Sequence, residues 1–224
     1  MNPTLYKDFP YLFDTITGKR VNLANPDPAV IDILDIAHAL AQTNRYGGHL
    51  RSPYSVAEHC GAVADEAEAV VLASGNAKAL LSVLPRIKLA AQLHDAAEAY
   101  VGDVISPLKK LLGAEFSRLE EGWHDAVMAR FGLSDIWQNY HASVIDLSDK
   151  ALFGVECIQL RGMTDIYKRF PSVPRALHPH QLRADVGWRA ARISFIRRVC
   201  DLAPDQFSPY DEIRRMDQLD PVAL

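Results

Sequence analysis

The chain is poor in cysteine and glycine and contains no long apolar run. Its three cysteines, Cys60, Cys157 and Cys200, are an odd number, widely spaced and without a C-x-x-C pair. That excludes a disulfide framework and a zinc ribbon and leaves them as core thiols. Its 12 glycines include the pair Gly47-Gly48 but spell no G-x-x-x-x-G-K-S/T. Gly18-Lys19 is followed by Arg20, so a P-loop is excluded. No stretch reaches the roughly 18 consecutive apolar residues of a bilayer span. The opening MNPTLYKDFPYLF lacks the basic start and apolar core of a secretory signal, so the expectation is a cytoplasmic protein that makes no use of a membrane. Lys+Arg 24 against Asp+Glu 28 gives a net charge of -4, which argues against a nucleic-acid polymer as partner.

What is present is a helical chain. With 224 residues the expectation is one compact core with appendages. In residues 1–28, YLFDTITGKRVNL alternates around a Thr-Gly turn and reads as a short hairpin or extended segment, followed by the prolines of NPDP. From Asp27, an N-cap with proline next to it, Ile31, Ile33, Leu34, Ile36, Ala37 and Leu40 recur at helical spacing to about Thr43. NRYGGHLRSP reads as a loop. A second helix is expected from Ser55 to about Leu72, and a third after Pro85 that includes IKLAAQLHDAAEAY. Further helical runs lie near 114–131, 138–161 and 185–202. The body holds no convincing strand run, so the fold class is all-α: a helical core over 29–165 and a helical extension over 166–224 packed on it.

Several polar residues sit awkwardly in this pattern. His94 and Asp95 are adjacent near the end of an apolar helix, with Glu98 on the neighbouring turn. Burying such carboxylates costs several kcal/mol without a cation. A nearby Arg or Lys is one source of that charge. A divalent metal is another, since imidazole and carboxylate are the ligand types of zinc, iron, manganese and cobalt. His59 shares the apolar face of Val56, Cys60 and Val63. Asp149 lies between Ile145 and Leu152, with Asp146 as its rival on the same helix. One ion would neutralise all four anomalies together.

YSVAEHC, LHDAAEAYVGDVISPLKK and the later SDKAL resemble the three motifs of the HD-domain metal-dependent phosphohydrolases, in particular the subgroup of 5'-deoxynucleotidases and of phage and prophage deoxynucleotide phosphohydrolases. The resemblance spans about residues 30–160. It implies an HD-domain helical bundle in which His59, His94, Asp95 and Asp149 bind one divalent transition metal (Co, Mn, Zn, Fe or Ni). It implies Glu98 as general acid/base and Asp103 as a second acid that orients the site, although an ordinary turn aspartate would also suit Asp103. Arg45 and Lys109 would meet substrate phosphate, with Lys110 in solvent. Tyr46 could stack on a base, and His49, Arg51 and Tyr54 would border the cleft. His38, His124, His141, His178 and His180 form no second ligand set. The implied activity is hydrolysis of the 5'-phosphate ester of a small-molecule nucleotide, a deoxynucleoside monophosphate, by a homo-oligomer. The alternatives are a triphosphohydrolase releasing tripolyphosphate, or a catalytically silent nucleotide-sensing module.

Overall fold

The computed structural model describes residues 11–219; the first ten residues of the expected N-terminal segment and the last five of the C-terminal extension lie outside them. The fold is all-α, about 63% helical, so a single two-stranded hairpin is left as the sheet among the described residues. In chain order the elements are β1 (Leu12–Asp14), β2 (Arg20–Asn22), α1 (Ile33–Gln42), α2 (Val56–Ala73), α3 (Ala77–Leu80), α4 (Leu84–Gln92), α5 (Glu98–Val101), α6 (Ser106–Leu112), α7 (Ala114–Arg130), α8 (Ser134–Tyr140), α9 (Asp146–Gln159), α10 (Ile166–Arg169), α11 (Trp188–Leu202) and α12 (Pro209–Leu219). A π-helical turn, His141–Ile145, joins α8 to α9 without a break. No helix of the described residues is long and apolar enough to cross a membrane.

The hairpin pairs Phe13 with Val21 in antiparallel register, and Gly18 takes the positive φ its turn needs. It is tied to α1 by Asp35, which accepts from the Thr17 amide and hydroxyl at 2.9 and 2.8 Å. Trp123 of α7, fully buried, donates to the Leu23 carbonyl and stacks on Tyr100 at 4.2 Å. Asp27 caps only a short 3-10 turn, Pro28–Val30. The first α-helix starts later, at Asp32, whose side chain accepts from the Leu34 amide.

Helix α2 is the central rod, opened by a capping box between Ser55 and Glu58. Around it pack α1, α4, α9 and α11. Leu34, Ile36, Leu40, Val63, Ile87, Leu93, Phe195, Ile196 and Val199 form one continuous core with 1% exposure or less, each worth roughly 1.5–3 kcal/mol of burial. Since α11 supplies three of these side chains, the C-terminal third is an integral wall of the core.

One expected element is split. IKLAAQLHDAAEAY forms α4, which ends at Gln92, then a tight turn, then α5. Through the turn, Ala96 donates to Leu93, Glu98 to Asp95 and Tyr100 to Ala97, three residues back. This narrower winding keeps the backbone paired and rotates His94 and Asp95 away from the helix they follow in sequence.

Candidate metal centre and cleft

Three separate segments bring the candidate ligands together. His59 stands one turn into α2, fully buried. His94 and Asp95 come from the turn after α4, and Asp149 from the first turn of α9. The Asp149 carboxylate lies 3.1 Å from His59 Nε2 and 4.0 Å from His94 Nε2. The Asp95 carboxylate lies 3.6 and 3.2 Å from the same two nitrogens. Donors on bonds of about 2.1 Å to one centre stand at most about 4.2 Å apart; His59, His94 and Asp149 stand together as one candidate metal-holding group, and Asp95 groups with His94 and Cys60. Asp146, the rival acid, instead pairs with Lys150 at 2.6 Å on the outer face of α9.

The imidazoles are oriented for that task. His94 Nδ1 donates to the Ala91 carbonyl at 2.8 Å, and His59 Nδ1 donates to Glu156 Oε1 at 2.6 Å. Each ring therefore turns Nε2 inward toward the two carboxylates, and both Nε2 atoms are buried without an aligned hydrogen bond. Buried nitrogens facing two carboxylates fit a cation between them. Cys60 also lies near His94 and Asp95, but burial pushes its thiol up, so it stays protonated and is the poorer ligand.

Glu156, which the sequence reading does not single out, organises the far side. It has no exposure, accepts from the Tyr46 hydroxyl at 2.6 Å and meets Arg45 at 3.2 Å, in addition to His59. Burial raises its carboxyl, and the Arg45 and His59 charges more than offset this to hold it below the usual range. Glu156 lies seven residues after Asp149, two turns along one helix face; that spacing is the signal the sequence offers. Arg45 also reaches Asp95 at 3.4 Å. Asp95 is held far down, its burial outweighed by His94, His59 and Arg45. Burial and Arg45 push the His59 pKa down, but Glu156 and Asp149 raise it overall; His94 is raised well above its ordinary value by Asp95 and Cys60 despite burial.

Glu98 is different. It is 6% exposed, one carboxyl oxygen lacks a partner, and its nearest cation is Lys109 at 3.9 Å. Burial, then Asp95 and Asp103, push it well above the carboxylate range. Asp103 follows Gly102, whose φ of +81° turns the chain into the cleft, and is itself raised, chiefly by burial. Lys109 is 2.5 Å from Glu120; Lys110 is exposed.

The acids Asp95, Glu98 and Asp149 and the cation Lys109 line both lobes of a cleft. One lobe, about 640 Å³, adds Arg45, Tyr46, Asp103, Lys150 and Arg161. The other, about 510 Å³, adds Glu120, Glu121, His124, Asp125, Trp137 and His141. Both volumes lie within the usual range for small-ligand sites. Tyr46 is not free to stack on a base: its hydroxyl serves Glu156, and its ring lies against the guanidiniums of Arg45 and Arg161, 5.6 and 5.1 Å from the centroid. Its φ of 60° is unusual for an aromatic residue, and these contacts hold it there. His49 and Arg51 are exposed and Tyr54 is buried under a different surface, so none of the three borders the cleft. His38 bonds Gln42 and Arg192, and His180 bonds Glu66, well apart from the ligand cluster in bonding terms.

No family model matches the chain. Among curated proteins it is similar to an uncharacterized protein of Rhodobacter capsulatus, 33% identical over 152 residues, covering 67% of this chain and 73% of that protein. It is also similar to the uncharacterized protein YfdR of Escherichia coli, 34% identical over 125 residues, covering 54% of this chain and 59% of YfdR. A third of positions identical along most of both sequences is descent, and the chain belongs to the same family as the Rhodobacter capsulatus protein.

Proposed function

We propose that the protein is a metal-dependent phosphohydrolase of the HD-domain type, a cytoplasmic enzyme that cleaves the 5'-phosphate ester of deoxynucleoside monophosphates. The observation that carries this reading is the pair of buried Nε2 atoms of His59 and His94, neither in an aligned hydrogen bond, facing Asp95 and Asp149, beside a carboxyl, Glu98, that burial pushes toward its protonated form. One divalent transition metal is the expected occupant, and when bound it activates water and polarises a phosphate oxygen.

The chain's own residues supply the rest. Arg45, only 14% exposed at its side chain, offers a planar guanidinium to the phosphate oxygens. Lys109 adds a point charge. Glu98 gives its proton to the departing 5'-oxygen, which would otherwise leave as an alkoxide. Asp103, through its charge, helps keep that proton on Glu98 until it is needed. Glu156 fixes the His59 ring and the Arg45 fork in one stroke. Self-association is part of the same reading, and the exposed Leu108, Leu111 and Leu112 of α6 are apolar surface that a second copy would cover.

A second reading, a triphosphohydrolase, is favoured by Lys150 and Arg161, which line the larger lobe beyond Arg45 and could meet further phosphates. Incubating the metal-loaded protein with deoxynucleoside mono- and triphosphates and resolving the products separates the two. Inorganic phosphate from monophosphates is the expected result. Tripolyphosphate would move the assignment to the second reading, and no release from any nucleotide would remove both.

A further inference from the structure

All three cysteines are buried and free, so burial does not tell them apart. Their neighbours do. Cys157 and Cys200 join no cluster of metal-ligating side chains among the described residues, whereas the Cys60 sulfur, a ring nitrogen of His94 and a carboxylate oxygen of Asp95 all lie within 4.8 Å of one another. That is close to the span that bonds of about 2.3 Å to sulfur and about 2.1 Å to nitrogen or oxygen reach across one centre. The proposed chemistry uses His94 and Asp95 and leaves the thiol out.

The helix explains how a second donor set arises beside the first. Cys60 follows His59 directly on α2, and consecutive helical residues point about 100° apart. The turn that carries His94 and Asp95 lies against both. On the His59 side, His94 and Asp149 complete one set of three donors; on the Cys60 side, His94 and Asp95 complete another. His94 is common to the two. Its Nδ1 is engaged by the Ala91 carbonyl at 2.8 Å, which leaves Nε2, buried without an aligned hydrogen bond on a side chain only 7% exposed. One nitrogen serves one ion at a time, so the two sets exclude each other.

The sets also differ in the ions they suit. Imidazole and carboxylate accept ions across the first transition row, manganese included, whereas thiolate selects zinc. Cys60 keeps its proton through burial, which His94 only partly opposes, so an ion that prefers oxygen gains nothing from it. A thiophilic ion removes that proton outright. The S–H bond breaks as the metal–sulfur bond forms, and the proton leaves to water in the cleft that His94 and Asp95 line.

We infer that Cys60 is an ion-selective ligand: zinc is bound through its sulfur together with His94 and Asp95, whereas manganese is held on the His59 side without sulfur. The inference rests on the metal centre of the proposed function and not on its hydrolytic chemistry, so the two fail separately. The experiment is X-ray absorption at the metal edge of the full chain loaded with stoichiometric Zn²⁺ or Mn²⁺. Zinc should show a sulfur neighbour at about 2.3 Å and manganese none. The sulfur should vanish in Cys60→Ser and persist in Cys200→Ser. By calorimetry, Cys60→Ser should weaken Zn²⁺ binding by about tenfold or more and leave Mn²⁺ binding as it is in the wild type. Zinc without sulfur in the wild type, a result that needs no variant, overturns the inference. So does sulfur that survives Cys60→Ser or that appears with manganese. Each of these leaves the metal centre and the phosphohydrolase reading standing. Uptake of neither ion removes the metal centre and this inference with it. Sulfur-bound zinc, with no hydrolysis of any nucleotide by the manganese-loaded protein, keeps the inference and removes the phosphohydrolase reading.

Discussion

Glu66 and Glu156 lie on packed neighbouring helices, α2 and α9, and both are completely shielded from water. Their partners could hardly differ more. Glu66 accepts from the amides of Leu177 and His178 at 2.7 and 2.9 Å and from the His180 ring at 3.0 Å, so it pins the connection that leads to α11. Glu156 accepts from His59, a candidate ligand, and from Arg45 and Tyr46, which border the cleft. A buried acid satisfied by backbone holds the fold, and one satisfied by other functional groups sets their direction. Burial alone distinguishes neither; the identity of the partners does. Glu98 completes the series as a shielded acid with an unpartnered oxygen, its pKa pushed up chiefly by burial.

The largest effect that would sharpen this contrast is at Glu98. Glu98→Gln should lower turnover on a deoxynucleotide by about 10²–10⁴-fold with metal content and melting temperature near those of the wild type; unchanged turnover would take Glu98 out of the chemistry. Next comes Glu156→Gln, which keeps the shape and loses the charge that steadies His59. It should weaken metal affinity by about 10–100-fold, whereas Glu66→Gln should leave that affinity alone. Equal losses of metal in the two variants would break the comparison.

Stability gives the complementary readout. Glu66→Ala strands two amides and a ring nitrogen and should cost about 1–3 kcal/mol in denaturant unfolding, with metal affinity unchanged. The smallest effect is its pH dependence. Burial raises the Glu66 carboxyl, but His180 and the two amides hold it below its ordinary value of 4.5 overall. A depressed carboxylate contributes stability that is complete above the unfolded pKa and disappears as the pH falls through the folded one. The gap between wild type and Glu66→Gln should thus be flat above about pH 5 and close in more acidic solution. A gap that widens with acid would reverse the assigned charge state.

Much of this was legible in the chain. The apolar spacing around His59 and Asp149 marks them as inward-facing, because a helix repeats its faces every three to four residues. The hairpin is equally plain from YLFDTITGKRVNL. Two things were not. The end of α4 at Gln92 has no glycine or proline to announce it, since the break is made by a change of winding within an alanine-rich run. Glu156 carries only its seven-residue spacing from Asp149 as a signal until its partners from distant segments, Arg45 and His59, are brought beside it.

The central claim is that His59, His94, Asp95 and Asp149 hold a single divalent transition metal. Titrating the apo protein with Co²⁺ by calorimetry, alongside His59→Ala, His94→Ala and Asp149→Ala variants that melt cooperatively, tests it most directly. The account predicts one ion per chain in the wild type and binding weakened by orders of magnitude in each variant, with Asp146→Ala binding as the wild type does. Wild-type protein that takes up no ion, or variants that all bind as tightly as it does, would contradict it.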